Sequence, residues 1–162
     1  MESKTTDKIL LIYYSRTGFT KKVAEELATE WECNVEAIGD IKSRGGLFGY
    51  MRSAFEALYK KLPDIKSMQK DPSQYKLVVI GSPVWASNIP SPVRTYITKY
   101  RNKFKRVAFF CTFGGSGADK VFNDMAQLCV NKPIATMALT DNEIKKDLYK
   151  EKIKKYINAI QE

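Results

Sequence analysis

The chain has 162 residues, with 27 Lys and Arg against 18 Asp and Glu, so its formal net charge is +9, and it contains no histidine. That length encloses a substantial core as one domain, residues 1–162. The missing imidazole removes His-based acid–base catalysis, Ser-His and Cys-His nucleophiles and the commonest metal ligand. Chemistry here belongs to a bound cofactor, and no catalytic or metal-ligating residue is assigned.

The polar start, Met1 to Lys8, reads as a tail over residues 1–7. No apolar run approaches the roughly 20 residues of a membrane-spanning helix. Cys33, Cys111 and Cys129 share no close spacing. They fit a reducing cytoplasm better than a disulfide frame or a zinc site.

Hydrophobic periodicity predicts alternating strands and helices. A strand over Lys8–Tyr14 leads into a helix over Gly18–Trp31 with Val23, Leu27 and Trp31 on one face. A short strand, Asn34–Ile38, precedes a helix over Leu47–Lys61. There Leu47, Met51, Phe55, Leu58 and Leu62 form an apolar stripe. A polar connection with Pro63 and Pro72 reaches a third strand, Leu77–Gly81, and a helix entered near Pro92. Then come a strand over Arg106–Cys111, a helix over Gly117–Val130, a strand over Ile134–Ala138 and one last helix over Asp141–Ile160. That helix places Ile144, Leu148, Ile153, Ile157 and Ile160 inward. Five βα units with short connections predict an α/β fold, a doubly wound five-stranded parallel sheet with helices on both faces.

In such sheets ligands sit beyond the carboxyl ends of the strands, and three loops at that edge stand out. After the first strand come Ser15, Arg16, Thr17, Gly18, Phe19 and Thr20, a hydroxyl-rich turn into a helix. Such a turn aims N–H groups and hydroxyls at one point with the helix dipole behind them, which is an anion site. It contains neither Gly-Lys-Ser/Thr nor Gly-x-Gly-x-x-Gly, so the usual nucleotide loops are excluded. An ordinary helix N-cap is the bland alternative.

The loop after the third strand runs Ser82, Pro83, Val84, Trp85, Ala86, Ser87, Asn88, then Ile89-Pro90-Ser91-Pro92. Its tryptophan can lie against a planar ring, or merely cap the core. After the fourth strand, Thr112, Phe113, Gly114, Gly115, Ser116 and Gly117 put three glycines in four residues, permitting close backbone approach or only a pliant turn.

Ser-x-Thr-Gly-x-Thr, Gly-Ser-Pro-x-Trp followed by Pro-x-Pro-Val-Arg, and the third loop together resemble the phosphate and ring loops of the short-chain flavodoxin family. The resemblance implies strand order 2-1-3-4-5 and non-covalent FMN. Its phosphate would lie at the first loop and its isoalloxazine between the second and third, flanked by Trp85 and Phe113. Phe19 stands where flavodoxins commonly carry Asn. The second loop also lacks the glycine that flavodoxins often use to stabilise the half-reduced flavin, although Asn88 tolerates positive φ. Flavodoxins are typically acidic; this chain is basic.

Arg94, Lys99, Arg101, Lys103, Lys105 and Arg106 form an acid-free run, mostly on the edge opposite the loops, where cations complement a helix C-terminus. Lys42 and Arg44 follow the second strand on the loops' own edge and suit an acidic redox partner, a nicotinamide cofactor's phosphate, or only a solvated turn into the next helix. Nucleic acid is disfavoured, since no basic stripe carries interleaved aromatics.

The leading expectation is an electron-transfer protein shuttling between partner proteins, as monomer or dimer. The alternative is an NAD(P)H-dependent FMN or quinone reductase on the same fold. Response regulators need acidic residues where Tyr14-Ser15 and Ser82-Pro83 stand, and a low-molecular-weight phosphatase needs an Arg where Gly117 stands. Cys111 reads as a core residue ending a buried strand.

Overall fold

The computed structural model describes residues 8–41, 46–58 and 62–162. The expected tail at 1–7, Lys42 and Arg44, and the expected helix end at Lys61 lie outside the described residues. In chain order the elements are β1 (Ile9–Tyr13), α1 (Phe19–Trp31), β2 (Asn34–Ala37), α2 (Gly46–Leu58), β3 (Leu77–Pro83) and α3 (Ser91–Tyr100). Then follow β4 (Val107–Phe113), α4 (Ala118–Cys129), β5 (Thr136–Thr140), α5 (Asp141–Lys145) and α6 (Lys150–Gln161).

The sheet is five-stranded, ordered β2-β1-β3-β4-β5, and every neighbouring pair is parallel. Each strand's carboxyl end therefore meets the same edge. β1 is buried along its whole length, as a strand covered on both faces must be. Its alternate side chains feed two cores. Leu10 and Ile12 join α3 and α4 residues such as Val93, Ile97, Val121 and Met125. Ile9, Leu11 and Tyr13 join Val23, Leu27 and Trp31 of α1 and Ile153 and Tyr156 of α6.

β3 and β4 run two residues beyond their expected ends because their pairing continues through Ser82–Cys111 and Pro83–Thr112. β5 lies two residues later than expected, with Met137 and Leu139 as its buried positions.

One expectation fails. The last helix is not continuous. At its break, Asp147 takes a positive φ of 52°, and the Leu148 N–H reaches back to the Glu143 carbonyl at 2.9 Å. That is a Schellman-type ending, which turns the chain before α6 begins. Leu148 consequently faces solvent, and Tyr149 takes the buried place.

The apolar stripe of α2 does not face inward. Leu47, Met51 and Phe55 lie outward, and Leu62 just beyond the helix is exposed too. The side chain of Leu58 is outside the described set. Among its described residues α2 buries Gly49, Ser53 and Glu56. The Glu56 carboxylate accepts hydrogen bonds from Ser91 Oγ at 2.7 Å and Arg52 Nε at 2.9 Å. Ser53 Oγ donates to the Gly49 carbonyl at 2.7 Å. Among the described residues the Ser91–Glu56 hydrogen bond ties α2 to α3, and Leu47, Met51 and Phe55 are left outside.

Candidate functional site: a cleft at the sheet's switch point

The first loop connects β1, where the strand order reverses, to α1. Gly18 occupies the N-cap of α1 at φ 97°, ψ −9°, with no side-chain cap and no acidic residue in the first turn. The ordinary-cap alternative therefore does not describe this end. Ser15 Oγ accepts from the Gly18 N–H at 3.2 Å, one residue before the helix, and shapes the turn. The N–H groups of the first helical turn are left without side-chain partners, at the positive end of the dipole. A negatively charged group is what completes such an end.

Thr17 is exposed beside that end, and Arg16 is half-buried with its guanidinium 5.5 Å from the ring centre of Tyr50 on α2. Thr20 is buried, and its hydroxyl shares a hydrogen bond of 2.8 Å with that of Thr112. Two hydroxyls joined by one bond keep one further donor hydrogen between them.

The second loop is a two-residue turn. Trp85 and Asn88 exchange backbone hydrogen bonds of 3.0 and 2.8 Å. Ala86 and Ser87 between them have φ of 47° and 58°, the conformation of a type I′ turn. Positive φ thus falls on Ala86 and Ser87, not on Asn88. Asn88 instead braces the turn, donating through Nδ2 to the Ala86 carbonyl at 2.7 Å and accepting from Lys120 Nζ at 2.7 Å. The half-buried Trp85 meets Tyr14 edge-on, with ring centres 5.3 Å apart at 82°. Tyr14 is itself fixed by donating to Asp40 at 2.6 Å.

The third loop packs beneath this turn. The Val84 N–H donates to the Thr112 carbonyl at 3.2 Å. Gly117, at φ 98°, allows the close approach, since a Cβ there would meet Ser87 Cα and Val84 Cγ1 at 3.0 Å.

Between the loops lies a cleft of about 360 Å³. Arg16 and Thr17 line it from the first loop, Pro83, Val84 and Trp85 from the second, and Thr112, Phe113 and Gly114 from the third. The remaining residues singled out in the sequence support it instead. Ser15 and Gly18 shape the turn, and Thr20 and Ser82 are buried beneath, Ser82 Oγ donating to the Pro83 carbonyl at 2.8 Å. Ala86, Ser87 and Gly115 are exposed at loop tips. Phe19 turns away, its ring packed on the α1 side of the sheet with Lys145 Nζ 5.5 Å from its centre.

Two lining residues escaped sequence reasoning: Tyr50 and Asp141. Tyr50 lay between stripe positions on α2. Asp141 lay inside an ordinary capping signal, because Thr140 and Glu143 form a capping box at the start of α5. Burial pushes the Asp141 carboxyl above its usual range, and Lys145 partly offsets this. The signal for Asp141 was its place directly after the fifth strand, at the loops' own edge.

A larger hollow of about 490 Å³ opens at the opposite edge, near Lys8, Lys76 and Arg106. None of the three loops reaches it. The acid-free basic run sits on that side as expected. Lys103 pairs with Asp71 at 3.4 Å, and Arg101 donates to the Leu128 carbonyl at 3.4 Å. Arg94 is the exception, buried on α3. Among the described residues no helix is long and apolar enough to cross a membrane. Burial raises the thiols, to about 11 at Cys33 and about 12 at Cys129, and further at Cys111.

Strand order, uncapped helix end and aromatic-walled cleft together define a doubly wound α/β protein with a cleft at the topological switch point, where ligands of such sheets bind. The family model for flavodoxin matches residues 8–160, and the chain belongs to that family. A flavoprotein of Lactobacillus acidophilus NCFM, solved in complex with FMN, is similar at 26% identity and a TM-score of 0.72, over 86% of this chain and 97% of that one. Megasphaera elsdenii flavodoxin, solved in its two-electron reduced state, shares the fold at 20% identity and a TM-score of 0.54, over 90% of this chain and 98% of that one. No curated protein matches the chain in sequence.

Proposed function

We propose that this flavodoxin-family chain binds FMN non-covalently and carries electrons between partner proteins. The observation that carries the reading is the uncapped N-terminus of α1, which opens beside a cleft walled by Trp85 and Phe113. One end of that site suits a phosphate and the other a flat ring. The family and the Lactobacillus acidophilus complex support the same cofactor.

In this reading the N–H groups of residues 16–20, Thr17 Oγ1 and the Arg16 guanidinium hold the phosphate, each bond charge-assisted. Trp85 and Phe113 orient the ring by stacking and exclude water from it. The Tyr14 edge contact and the Lys120–Asn88–Ala86 bonds keep the second loop's shape without any ligand to organise it. The bound flavin supplies the redox chemistry; the chain's contribution is position and local charge, including the Asp141 carboxyl near Gly114. The net charge of +9 supports an acidic redox partner. The three thiols support a reducing compartment such as the cytoplasm.

Apo protein is titrated with FMN, following the quenching of flavin fluorescence. Thr17→Ala is expected to weaken FMN roughly tenfold, the loss of one hydrogen bond to a charged group. Unchanged affinity overturns the phosphate assignment, and no binding by the wild-type chain overturns the whole reading. NADPH and NADH are then added anaerobically to the loaded protein. Unbleached flavin that dithionite still reduces fits a carrier, whereas rapid bleaching makes the chain an NAD(P)H-dependent reductase.

A further inference from the structure

Helix α2 is amphipathic the wrong way round for a lone molecule. Its inward side is Gly49, Ser53 and Glu56. Its outward side presents Leu47 at 72% exposure, Phe48 at 87%, Met51 at 57% and Phe55 at 53%, with Tyr50 at 61% on the flank. Scattered exposed apolar residues are ordinary, but five large ones on one 13-residue helix form a continuous patch.

We propose that this face of α2 is the homodimer interface of the protein: it docks on α2 of a second copy about a two-fold axis.

Three observations select a second copy as the occupant. The first is area. The exposed parts of those five side chains amount to roughly 700–800 Å², which approaches the ~800 Å² per partner buried in stable, specific complexes. A patch this apolar matches the composition of homodimer interfaces better than that of transient ones.

The second is charge. The molecule carries +9, so two copies repel over most of their surface. On α2 the charged residues are Arg52 and Glu56, and they bond each other at 2.9 Å. Two such faces can meet without placing an unpaired like charge at the centre of the contact.

The third is symmetry. Leu47, Met51 and Phe55 recur at intervals of four, so they form one row along the helix. Met51 is its midpoint. An antiparallel pairing about Met51 sets Leu47 of each copy against Phe55 of the other, the self-complementary arrangement a two-fold contact requires. Methionine at the axis adapts its shape to its own symmetry mate.

The same helix supplies Tyr50 to the cleft, beneath the Arg16 guanidinium. Dimerisation therefore brings the second copy to the rim of the candidate site. The inference does not rest on what that site binds.

The test is sedimentation velocity of the full chain at micromolar concentrations. The expected result is a species of twice the 18.5 kDa chain mass. Phe48→Glu with Leu47→Glu is expected to give a monomer with unchanged far-UV circular dichroism and unchanged FMN titration, because neither residue lines the cleft. A wild-type monomer overturns the proposal, and so does a dimer that survives the double substitution in a folded protein. Lys42, Arg44, Lys60 and Lys61 flank the helix in sequence, so the wild type is also sedimented with phosphatidylglycerol–phosphatidylcholine vesicles. A monomer that pellets with them, and a double variant that does not, gives the face to a lipid surface instead.

Discussion

Helices α1 and α2 are each 13 residues long and each carries a clear apolar side, yet the molecule uses them in opposite ways. α1 buries Val23, Ala24, Leu27 and Trp31 against the sheet and leaves its uncapped first turn at the cleft. α2 is tied to α3 through Glu56 and Ser91 and leaves Leu47, Met51 and Phe55 outside. Amphipathicity establishes that a helix forms and that one side wants to leave water. It does not say whether the surface that removes it belongs to the same chain. α1 is stabilised within the molecule, α2 by a polar contact beneath and, on our proposal, by a second copy above.

Substitutions can break that contrast. The largest effect is expected on α1: Leu27→Ala, at a fully buried position, should lower folding stability by about 3 kcal/mol, read by urea denaturation. On α2 the sensitive residue is expected to be a polar one. Glu56→Ala removes the acceptor of the Ser91 hydroxyl and of Arg52 and should cost about 2 kcal/mol. If Glu56→Ala proves neutral, polar docking of α2 is wrong.

Ala86→Gly probes the turn of the second loop, where an alanine sits at φ 47°. It should raise stability by about 1 kcal/mol, since glycine carries no left-handed penalty.

Helix entrances extend the comparison, because α5 has the side-chain cap that α1 lacks. Hydrogen bonds to Lys152 and Thr140 hold the Glu143 carboxyl below its usual range. A lowered folded pKa means the contribution is present above the unfolded value and lost as pH falls through the folded one. Between pH 6 and 3 the wild type should lose about 0.5–1 kcal/mol more than Glu143→Gln, read from melting temperatures along the pH series. An equal loss in both removes Glu143 from the cap.

The smallest effect sharpens the contrast most. At dilutions where the chain is monomeric, Phe48→Ser should change stability by under about 0.5 kcal/mol, the range of ordinary surface substitutions. Leu27→Ala must stay costly under the same conditions.

The buried β1 run, the hydroxyl turn after it, the Trp85 loop and the glycine-rich Thr112–Gly117 segment were all legible, because each is a local pattern with a local cause. Eight of the residues so read line the cleft together. Tyr50 was not legible as a site residue, because nothing near it in sequence separates it from a helix stripe, and a capping box hid Asp141, whose one signal was its place after the fifth strand. The break at Asp147 hid inside a pattern whose isoleucines fit one helix nearly as well as two.

What the sequence by itself determined is therefore the alternation of strands and helices, the parallel sheet and the three loops at one edge. Periodicity and turn chemistry act over a few residues, and right-handed crossovers leave little choice in how such units assemble. Tertiary structure decided which side of α2 meets the protein, where the last helix breaks and which hydroxyls bond across loops. The Thr20–Thr112 bond spans 92 residues. Choices of that kind are settled by satisfying buried polar groups between distant segments, a condition that no local pattern carries.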